Sequence, residues 1–121
     1  MAENLVLICG SRELADEQEV AQAILQRVGD LVDDDTLIMC GDARGVDRMA
    51  SESAKYWGSF PVVVKADWKK HGRKAGILRN LAMINRRPKL VIAYWNGSSP
   101  GTAHTIGESR ARGIPVEVHR V

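Results

Sequence analysis

Residues 5–12 read LVLICGSR, an apolar run that ends in a Gly-Ser-Arg turn. Two further apolar runs, TLIMC (residues 36–40) and LVIAYW (residues 90–95), also end in glycine-containing turns. Each run is typical of a buried parallel strand, and each turn leads into a segment with helical periodicity. In an open α/β sheet such turns meet at the carboxyl ends of the strands, where these folds bind ligands. Because glycine admits close backbone approach and helix N-termini favour negative charge, the pattern predicts an anionic small-molecule ligand that carries a phosphate.

Bulk composition predicts one compact domain over residues 1–121. Hydrophobic residues make up 45% of the chain and charged residues 26%, as in ordinary globular proteins. The formal net charge of +2 does not favour nucleic acid as a partner. No apolar run approaches the ~20 residues that cross a bilayer, and the first residues lack a signal-peptide pattern. We therefore expect a cytoplasmic protein with no membrane partner.

Cys9 and Cys40 each end a predicted strand beside a glycine. Free cysteine packs as a small hydrophobic residue, so two buried thiols are expected rather than a disulfide framework. The sequence has no CxxC motif or His/Cys cluster with the spacing of a zinc site. We expect no metal and no cofactor.

Alternating apolar runs and helical segments predict a doubly wound, Rossmann-like α/β fold. The five strands are predicted at Leu5 to Cys9, Thr36 to Cys40, Pro61 to Lys65, Leu90 to Trp95 and Ile114 to Val118. The four helices are predicted from near Asp16, over Val46 to Trp57, over Lys74 to Asn85 and over Thr102 to Arg112. Right-handed crossovers then give a parallel sheet of order 3-2-1-4-5, with its switch point between strands one and four.

Local signals fix some helix ends and inward faces. Asp16 and Glu19 have capping-box spacing, and Gly113 is placed to end the last helix in a left-handed conformation. Periodicity predicts two inward helix faces: Met49, Ala50, Ser53, Ala54 and Trp57 on the second helix, and Ala75, Leu78, Leu81 and Ala82 on the third.

The first two glycine turns offer several candidate ligand contacts. Gly10 and Ser11 present amides and a hydroxyl, although the same residues also suit an ordinary strand–helix turn. Arg12 has a planar fork that fits phosphate, or it forms a surface salt bridge. Arg44 lies between small residues, so its side chain is expected at the mouth of the site. Asp47 is predicted to cap the second helix unless a ribose lies near it.

Three later segments complete the candidate site. Trp68 is able to stack on a base, or it belongs to the core. Arg79 and Asn80 occupy one helical turn and either face the ligand or a partner subunit, or are solvated. The Pro100-Gly101-Thr102 turn begins a helix directly, so its amides and the threonine hydroxyl are predicted to hold a phosphate, with a threonine N-cap as the alternative.

These motifs, taken together, resemble the YspA-type branch of the SLOG superfamily. The matching segments are Gly10-Ser11-Arg12, Gly41 to Arg48, Ala66-Asp67-Trp68, Gly76 to Asn80, Pro100-Gly101-Thr102 and Gly113 to Val116. The superfamily includes the LOG phosphoribohydrolases, the DNA-processing protein DprA and domains proposed to sense nucleotide-derived signals. The resemblance therefore implies a nucleotide-like ligand, and it implies a homodimer or higher homo-oligomer with sites beside the interface.

The chain departs from the LOG pattern at one catalytic position. LOG enzymes resemble Gly-Gly-x-Gly-Thr-x-x-Glu, and their glutamate assists departure of the base from ribose. Here Thr105 occupies the place of that glutamate. Glu108 lies one turn further along the helix, a displacement of about 5 Å, and His104 shares its face.

Two functions from different classes follow. The first is a module that binds a nucleotide or nucleotide-derived phosphate ligand as a sensor or sequestering protein. The second is a hydrolase or transferase that cleaves an N-glycosidic bond, with His104 or Glu108 as acid or base and Asp42 or Asp67 nearby. The predicted ligand-binding residues are Gly10, Ser11, Arg12, Gly41, Asp42, Arg44, Gly45, Asp67, Trp68, Arg79, Asn80, Gly97, Pro100, Gly101 and Thr102.

Overall fold

A computed structural model describes residues 4–121 of the chain. Its elements are β1 (Asn4–Gly10), α1 (Glu17–Leu31), β2 (Thr36–Gly41), α2 (Val46–Tyr56), β3 (Val62–Val64), α3 (Trp68–His71), a 3-10 turn (Gly72–Lys74), α4 (Ala75–Asn85), β4 (Leu90–Trp95), α5 (Pro100–Ala111) and β5 (Val116–Arg120). The five strands form one parallel sheet of order β3-β2-β1-β4-β5. The predicted fold class and strand order are confirmed.

Alternation along the central strand creates a core on each face of the sheet. Val6 and Ile8 of β1 pack against the inward residues of α1 and α2. Leu7 and Cys9 point to the opposite face and pack in the cluster that contains Met83 of α4 and Ile106 of α5. Because both faces are covered, the central strands are apolar throughout, as the sequence indicates.

The predicted helix signals at Asp16 and Gly113 are both present. The Asp16 carboxylate accepts a hydrogen bond from the Glu19 N–H at 3.0 Å and caps α1. Gly113 has φ of 72° and follows the last residues of α5. The Ile114 N–H donates to the Ser109 carbonyl at 3.0 Å, which closes the end of that helix.

Several element bounds differ from the prediction. The segment between the third predicted strand and the helix predicted from Lys74 contains α3 and the 3-10 turn. The Asp67 carboxylate caps α3 by accepting from the Lys70 N–H at 3.1 Å. The fifth strand begins at Val116 rather than Ile114, because the Ile114 amide is used by the helix end and Pro115 has no N–H. Helix α5 begins at Pro100, two residues before the predicted start.

The predicted inward face of α4 was partly wrong. Ala75 is buried as expected, but Leu78 is 40% exposed and Ala82 is also exposed, whereas Met83 and Ile84 are buried. The inward stripe also carries the polar residues Arg79 and Asn80, which line a cleft at the end of the sheet. A prediction from hydrophobic periodicity assigns such polar residues to the solvent face. The predicted inward face of α4 was therefore rotated about the helix axis relative to the observed one.

The three tryptophans lie outside the fully buried core. Trp57, predicted to face inward, is 47% exposed and donates from Nε1 to the Leu25 carbonyl at 2.8 Å. Trp95 is half-buried, and Trp68 is 53% exposed, which excludes a core position for Trp68. Cys9 and Cys40 are buried, free thiols as predicted, and burial raises the pKa of both.

Candidate ligand-binding cleft

A cleft of about 780 Å³ lies at the carboxyl ends of the strands. Its walls come from the ends of β1 and β2, from α3 and α4, and from the first turn of α5. The predicted site residues that line it are Gly10, Ser11, Arg12, Asp42, Arg44, Trp68, Arg79, Asn80, Pro100, Gly101 and Thr102. Their contact with a ligand remains a prediction. The structure nevertheless brings these separate segments to one place.

Ser11 connects the turn after β1 with the turn after β4. Its side chain is almost fully buried at 1% exposure. The Ser11 hydroxyl oxygen accepts from the Asn96 N–H at 3.0 Å and from the Ser99 hydroxyl at 2.9 Å. Ser11 therefore links the two turns at the topological switch point. This point lies between β1 and β4, where the strand order reverses direction.

The turn between β4 and α5 is held by Asn96. Its Oδ1 accepts from the Ser98 and Ser99 N–H groups at 2.9 and 3.0 Å. Gly97 has φ of 89°, a backbone conformation that favours glycine, and the Arg120 guanidinium lies against it. Gly97 was predicted to bind ligand, but it lies outside the cleft lining.

The first turn of α5 presents unpaired donors to the cleft. Ser99 is the N-cap residue, but within residues 4–121 no side chain caps the helix. Pro100 at the first helical position has no N–H, so the Gly101 and Thr102 amides are the next donors along the helix. Thr102 is 6% exposed and lines the cleft, and none of the described residues bonds its hydroxyl. This arrangement is suited to an anion.

Arg79 orients two polar side chains of the cleft. Its side chain is only 9% exposed. Nη1 donates to Asp42 Oδ1 at 2.7 Å, and Nε donates to Asn80 Oδ1 at 2.8 Å. Since the Asn80 oxygen is engaged, its amide nitrogen remains as a donor, and it lies 4.0 Å from the position of a Cβ built on Gly101. Arg79 thus directs the Asn80 donor toward the start of α5.

Asp47 is a buried carboxylate in the wall of the cleft. It is 7% exposed, and Oδ2 accepts from the Ala43 N–H at 3.1 Å. The prediction that Asp47 caps its own helix was wrong, because the carboxylate instead braces the turn that precedes α2. Burial raises the pKa of Asp47 to about 6, although the Ala43 N–H and the Arg79 guanidinium oppose this shift.

Gly41 and Gly45 support this wall from behind and do not line the cleft. A Cβ on Gly41 would lie 2.5 Å from Arg79 Nη1 and 2.6 Å from Asp47 Oδ2. Gly45 has φ of 78°, and a Cβ there would lie 2.6 Å from the Ser11 carbonyl oxygen. Both glycines were predicted to bind ligand. In the structure Gly41 packs against the side chains of Arg79 and Asp47, and Gly45 packs against the backbone of the first turn.

Arginines and an aromatic ring lie around the opening. Arg12 is exposed on one side, and Arg44 forms an exposed ion pair with Glu13. Trp68 lies at the same opening, together with Arg73, which the sequence analysis had not selected. The opening therefore combines the positive charge of the arginines with the flat apolar ring of Trp68.

The two residues predicted as acid or base, Glu108 and His104, do not line the cleft, whereas Asp42, predicted nearby, does. Glu108 pairs with Arg112 at 2.9 Å, and this hydrogen bond lowers the pKa of Glu108. His104 has a buried Nδ1 without a partner among the described residues, and it also lies outside the cleft lining. Asp67 is occupied in capping α3. Thr105 does line the cleft, and its hydroxyl donates to the Gly101 carbonyl at 3.2 Å.

Sequence reasoning missed several cleft residues. Those not selected as ligand contacts include Cys9, Glu13, Asp47, Arg73, Ile77, Met83 and Ser99. Asp47 carried a usable signal, since an acidic residue directly after a glycine turn at a strand end faces the ligand edge of such a sheet. Across residues 4–121, no cluster of His, Cys, Asp or Glu has the geometry to hold a metal ion. None of the helices in that range is long and apolar enough to cross a membrane.

The fold and its cleft define a Rossmann-like α/β domain with an anion-suited edge at the topological switch point. Residues 5–71 match the family described as YspA, cpYpsA-related SLOG, and the chain belongs to this family. It is 36% identical over 118 residues to the Gene 61 protein of Mycobacterium phage D29, with 92% of each chain covered.

Two solved structures show the same fold at low sequence identity. DNA processing protein A from Streptococcus pneumoniae has a TM-score of 0.79 and 19% identity, and the match covers 96% of this chain and 50% of that one. The molybdenum cofactor carrier protein from Chlamydomonas reinhardtii has a TM-score of 0.72 and 15% identity, over 96% of this chain and 75% of that one.

Proposed function

We propose that this protein binds a nucleotide or nucleotide-derived phosphate ligand in the cleft, as a sensor or sequestering module that leaves the ligand intact. The observation that carries the proposal is the open N-terminus of α5, whose first three residues line the cleft and which has no side-chain cap. An uncapped and partly buried helix start leaves donors unsatisfied, and a bound anion satisfies them.

The phosphate is assigned to a cradle formed by Gly101, Thr102 and Asn80. The two α5 amides and the Thr102 hydroxyl supply donors from one side. The Asn80 amide nitrogen supplies another from α4, in the orientation set by Arg79. Hydrogen bonds to a charged phosphate contribute about 1.5–3 kcal/mol each, so each donor of this cradle supports phosphate binding.

The remainder of the ligand is assigned to the opening near α3. A volume of about 780 Å³ lies within the ordinary range for small-molecule sites. Trp68 lines the cleft with about half of its surface exposed, and a purine or pyrimidine base stacks favourably on such a ring. Arg12 and Arg73 add positive charge near the same opening.

Binding without cleavage is favoured because α5 supplies no acid–base group to the cleft. Thr105 occupies the position of the LOG glutamate, and Glu108 is paired with Arg112 outside the cleft. The alternative function is cleavage of an N-glycosidic bond by a hydrolase or transferase. The observation in its favour is that two carboxylates, of Asp42 and Asp47, do line the cleft.

The proposal extends to assembly and location. We place the protein in the cytoplasm as a homodimer or higher homo-oligomer. Its apolar contact surface would be formed by two exposed residues of α4, Ile77 at the rim of the cleft and Leu78 next to it in sequence. A small ligand is preferred over nucleic acid because the net charge is only +2. The DNA processing protein shares the fold, so single-stranded DNA belongs among the ligands tested.

A nucleotide panel tests this proposal directly. Purified protein is incubated with nucleoside mono-, di- and triphosphates and with a short single-stranded oligonucleotide. Thermal shift reports binding, and chromatography of the same mixtures reports cleavage. A ligand that raises the melting temperature and is recovered intact supports a binding module. Release of free base supports the enzyme instead, and the absence of any shift across the panel rejects a nucleotide ligand.

A further inference from the structure

Asp47 has no part in the phosphate cradle, yet it is the most buried charged side chain in the cleft wall. We infer that Asp47 accepts a hydrogen bond from a sugar hydroxyl of the ligand, so that the protein selects ribonucleotides over sugars that lack both hydroxyls. This inference rests on the proposed nucleotide-binding function and adds the class of ligand and a specificity-determining residue.

The hydrogen bonding of Asp47 leaves one acceptor for the ligand. Oδ2 accepts from the Ala43 N–H, whereas no described residue donates to Oδ1. Asp47 is only 7% exposed, yet Oδ1 is not among the fully buried unpaired atoms of the described residues, so it stays open to the cleft. The reduced hydration of this acceptor carries a free-energy cost. A ligand group that donates a hydrogen bond removes this cost, whereas a second anion would be repelled.

The position of Asp47 in the sheet suits a sugar when the phosphate lies on α5. Asp47 follows β2, the cradle follows β4, and β1 lies between these two strands. Two strand spacings amount to roughly 10 Å, which is the scale of a nucleoside monophosphate rather than of free phosphate. The ligand must therefore carry an anion at one end and a hydrogen-bond donor further along.

The charge of Asp47 depends on groups from every element packed around it. The Arg79 guanidinium of α4 and the Arg12 guanidinium of the loop after β1 favour the ionised form, whereas Asp42 disfavours it. The neighbouring thiols of Cys9 and Cys40 are buried, and burial keeps them neutral by raising the pKa of each. Burial of the carboxyl itself places the pKa of Asp47 at about 6. Its strength as an acceptor should therefore decline as the pH falls below about 6.

The test compares two pairs of probes, and the members of each pair differ only in the sugar hydroxyls. Affinities for adenosine and guanosine 5′-monophosphate are measured by calorimetry beside those for the 2′,3′-dideoxy forms. In the wild-type protein at pH 7.5 the dideoxy probes should bind at least about tenfold more weakly, the loss of one hydrogen bond to a charged group. At pH 5 the ratio of the two affinities should approach one, because Asp47 is then mostly protonated. Both members of a pair carry the same phosphate, so its own titration cancels from the ratio.

Asp47→Asn should bring this ratio close to one while dideoxy affinity is retained. The asparagine carbonyl still accepts from the Ala43 N–H, so the turn is preserved. Glu52→Gln, an exposed position on the same helix, is the matched control and should keep the wild-type ratio. A wild-type ratio of one overturns the inference, and so does equal loss of both probes in Asp47→Asn. In either of these cases, loss of binding in Gly101→Ala would still support the phosphate site at the start of α5. If no probe binds the wild-type protein, the proposed nucleotide-binding function fails as well.

Discussion

Replacing Gly101 by alanine separates ligand binding from stability, because the two should move in opposite directions. Gly101 lies in the first turn of α5 without positive φ, so alanine fits its backbone. The nearest atom to an added Cβ is Asn80 Nδ2 at 4.0 Å, so nothing in the protein is displaced. The methyl group would instead occupy the space between the Asn80 amide and the helix start.

The expected stability change follows from helix propensity. Alanine in place of a helical glycine contributes about 0.5–1 kcal/mol, since the unfolded chain loses conformational freedom. For a chain of this size that corresponds to a rise in melting temperature of roughly 2–5 °C. Gly107→Ala is the matched control, because Gly107 lies in the same helix, is exposed, and has no atom within 4 Å of an added Cβ.

Ligand affinity distinguishes the two variants. A methyl group at Gly101 would push a phosphate away from the amides and from Asn80, so affinity should fall at least about tenfold, or ~1.4 kcal/mol. Gly107→Ala should bind as the wild type does. Calorimetry with the best ligand of the panel and thermal melts without ligand measure both quantities. If Gly101→Ala is stabilised and binds as tightly as Gly107→Ala, the phosphate does not lie on the start of α5.

Other perturbations test the cradle, the positioning of its side chains and the absence of catalysis. Thr102→Ala should weaken binding by about 1.5–3 kcal/mol in calorimetry, the value of one hydrogen bond to a charged group, and unchanged affinity would remove the hydroxyl from the cradle. Arg79→Lys retains the charge but loses the Nε donor that orients Asn80, so Asn80→Ala should add little further loss in the double variant; full additivity would contradict a positioning role. Because the pKa of Asp47 is raised to about 6, its contribution to stability is present below about pH 4 and is lost as the pH rises through 6. Asp47→Asn should therefore melt at a higher temperature than the wild type at pH 7.5 but not at pH 4, and identical pH profiles would argue against a buried charge. Glu108→Gln should leave ligand affinity unchanged, and the amount of free base released should equal that of the wild type. If the wild type releases base and this variant does not, Glu108 is an acid or base after all.

The sequence predicted the order of the sheet because its strands carry strong local signals. LVIAYW has an apolar run and a following turn that define its bounds, and the structure places β4 at Leu90–Trp95 as predicted. The fifth strand was misplaced by two residues because Ile114 is apolar, although its amide belongs to the end of α5. A pattern of side chains contains no information on which backbone amides are already in use.

The cleft was predictable where backbone chemistry creates it and less so where tertiary contacts do. The glycine turns and the start of α5 pointed to the edge of the sheet where the cleft lies, since those signals are local. The roles of Gly41 and Gly45 depend on Arg79, Asp47 and Ser11, which are distant in sequence and come together only in the fold. Asp47 was interpreted as a helix cap for the same reason, because its partner is the Ala43 amide of the preceding turn.

The polar contacts behind the cleft suggest why a small domain keeps buried charge at this edge. Arg79 holds Asp42 and Asn80, and it also lies beside Gly41 and the Asp47 carboxylate. A buried carboxylate with a raised pKa reduces stability at neutral pH, so a purely structural role for Asp47 would be better served by asparagine. Near the start of α5, Thr105 stands where the resemblance to LOG enzymes places their glutamate, and its hydroxyl donates to the Gly101 carbonyl. In the function we propose, these polar groups hold the ligand, and the threonine of α5 supports recognition over cleavage.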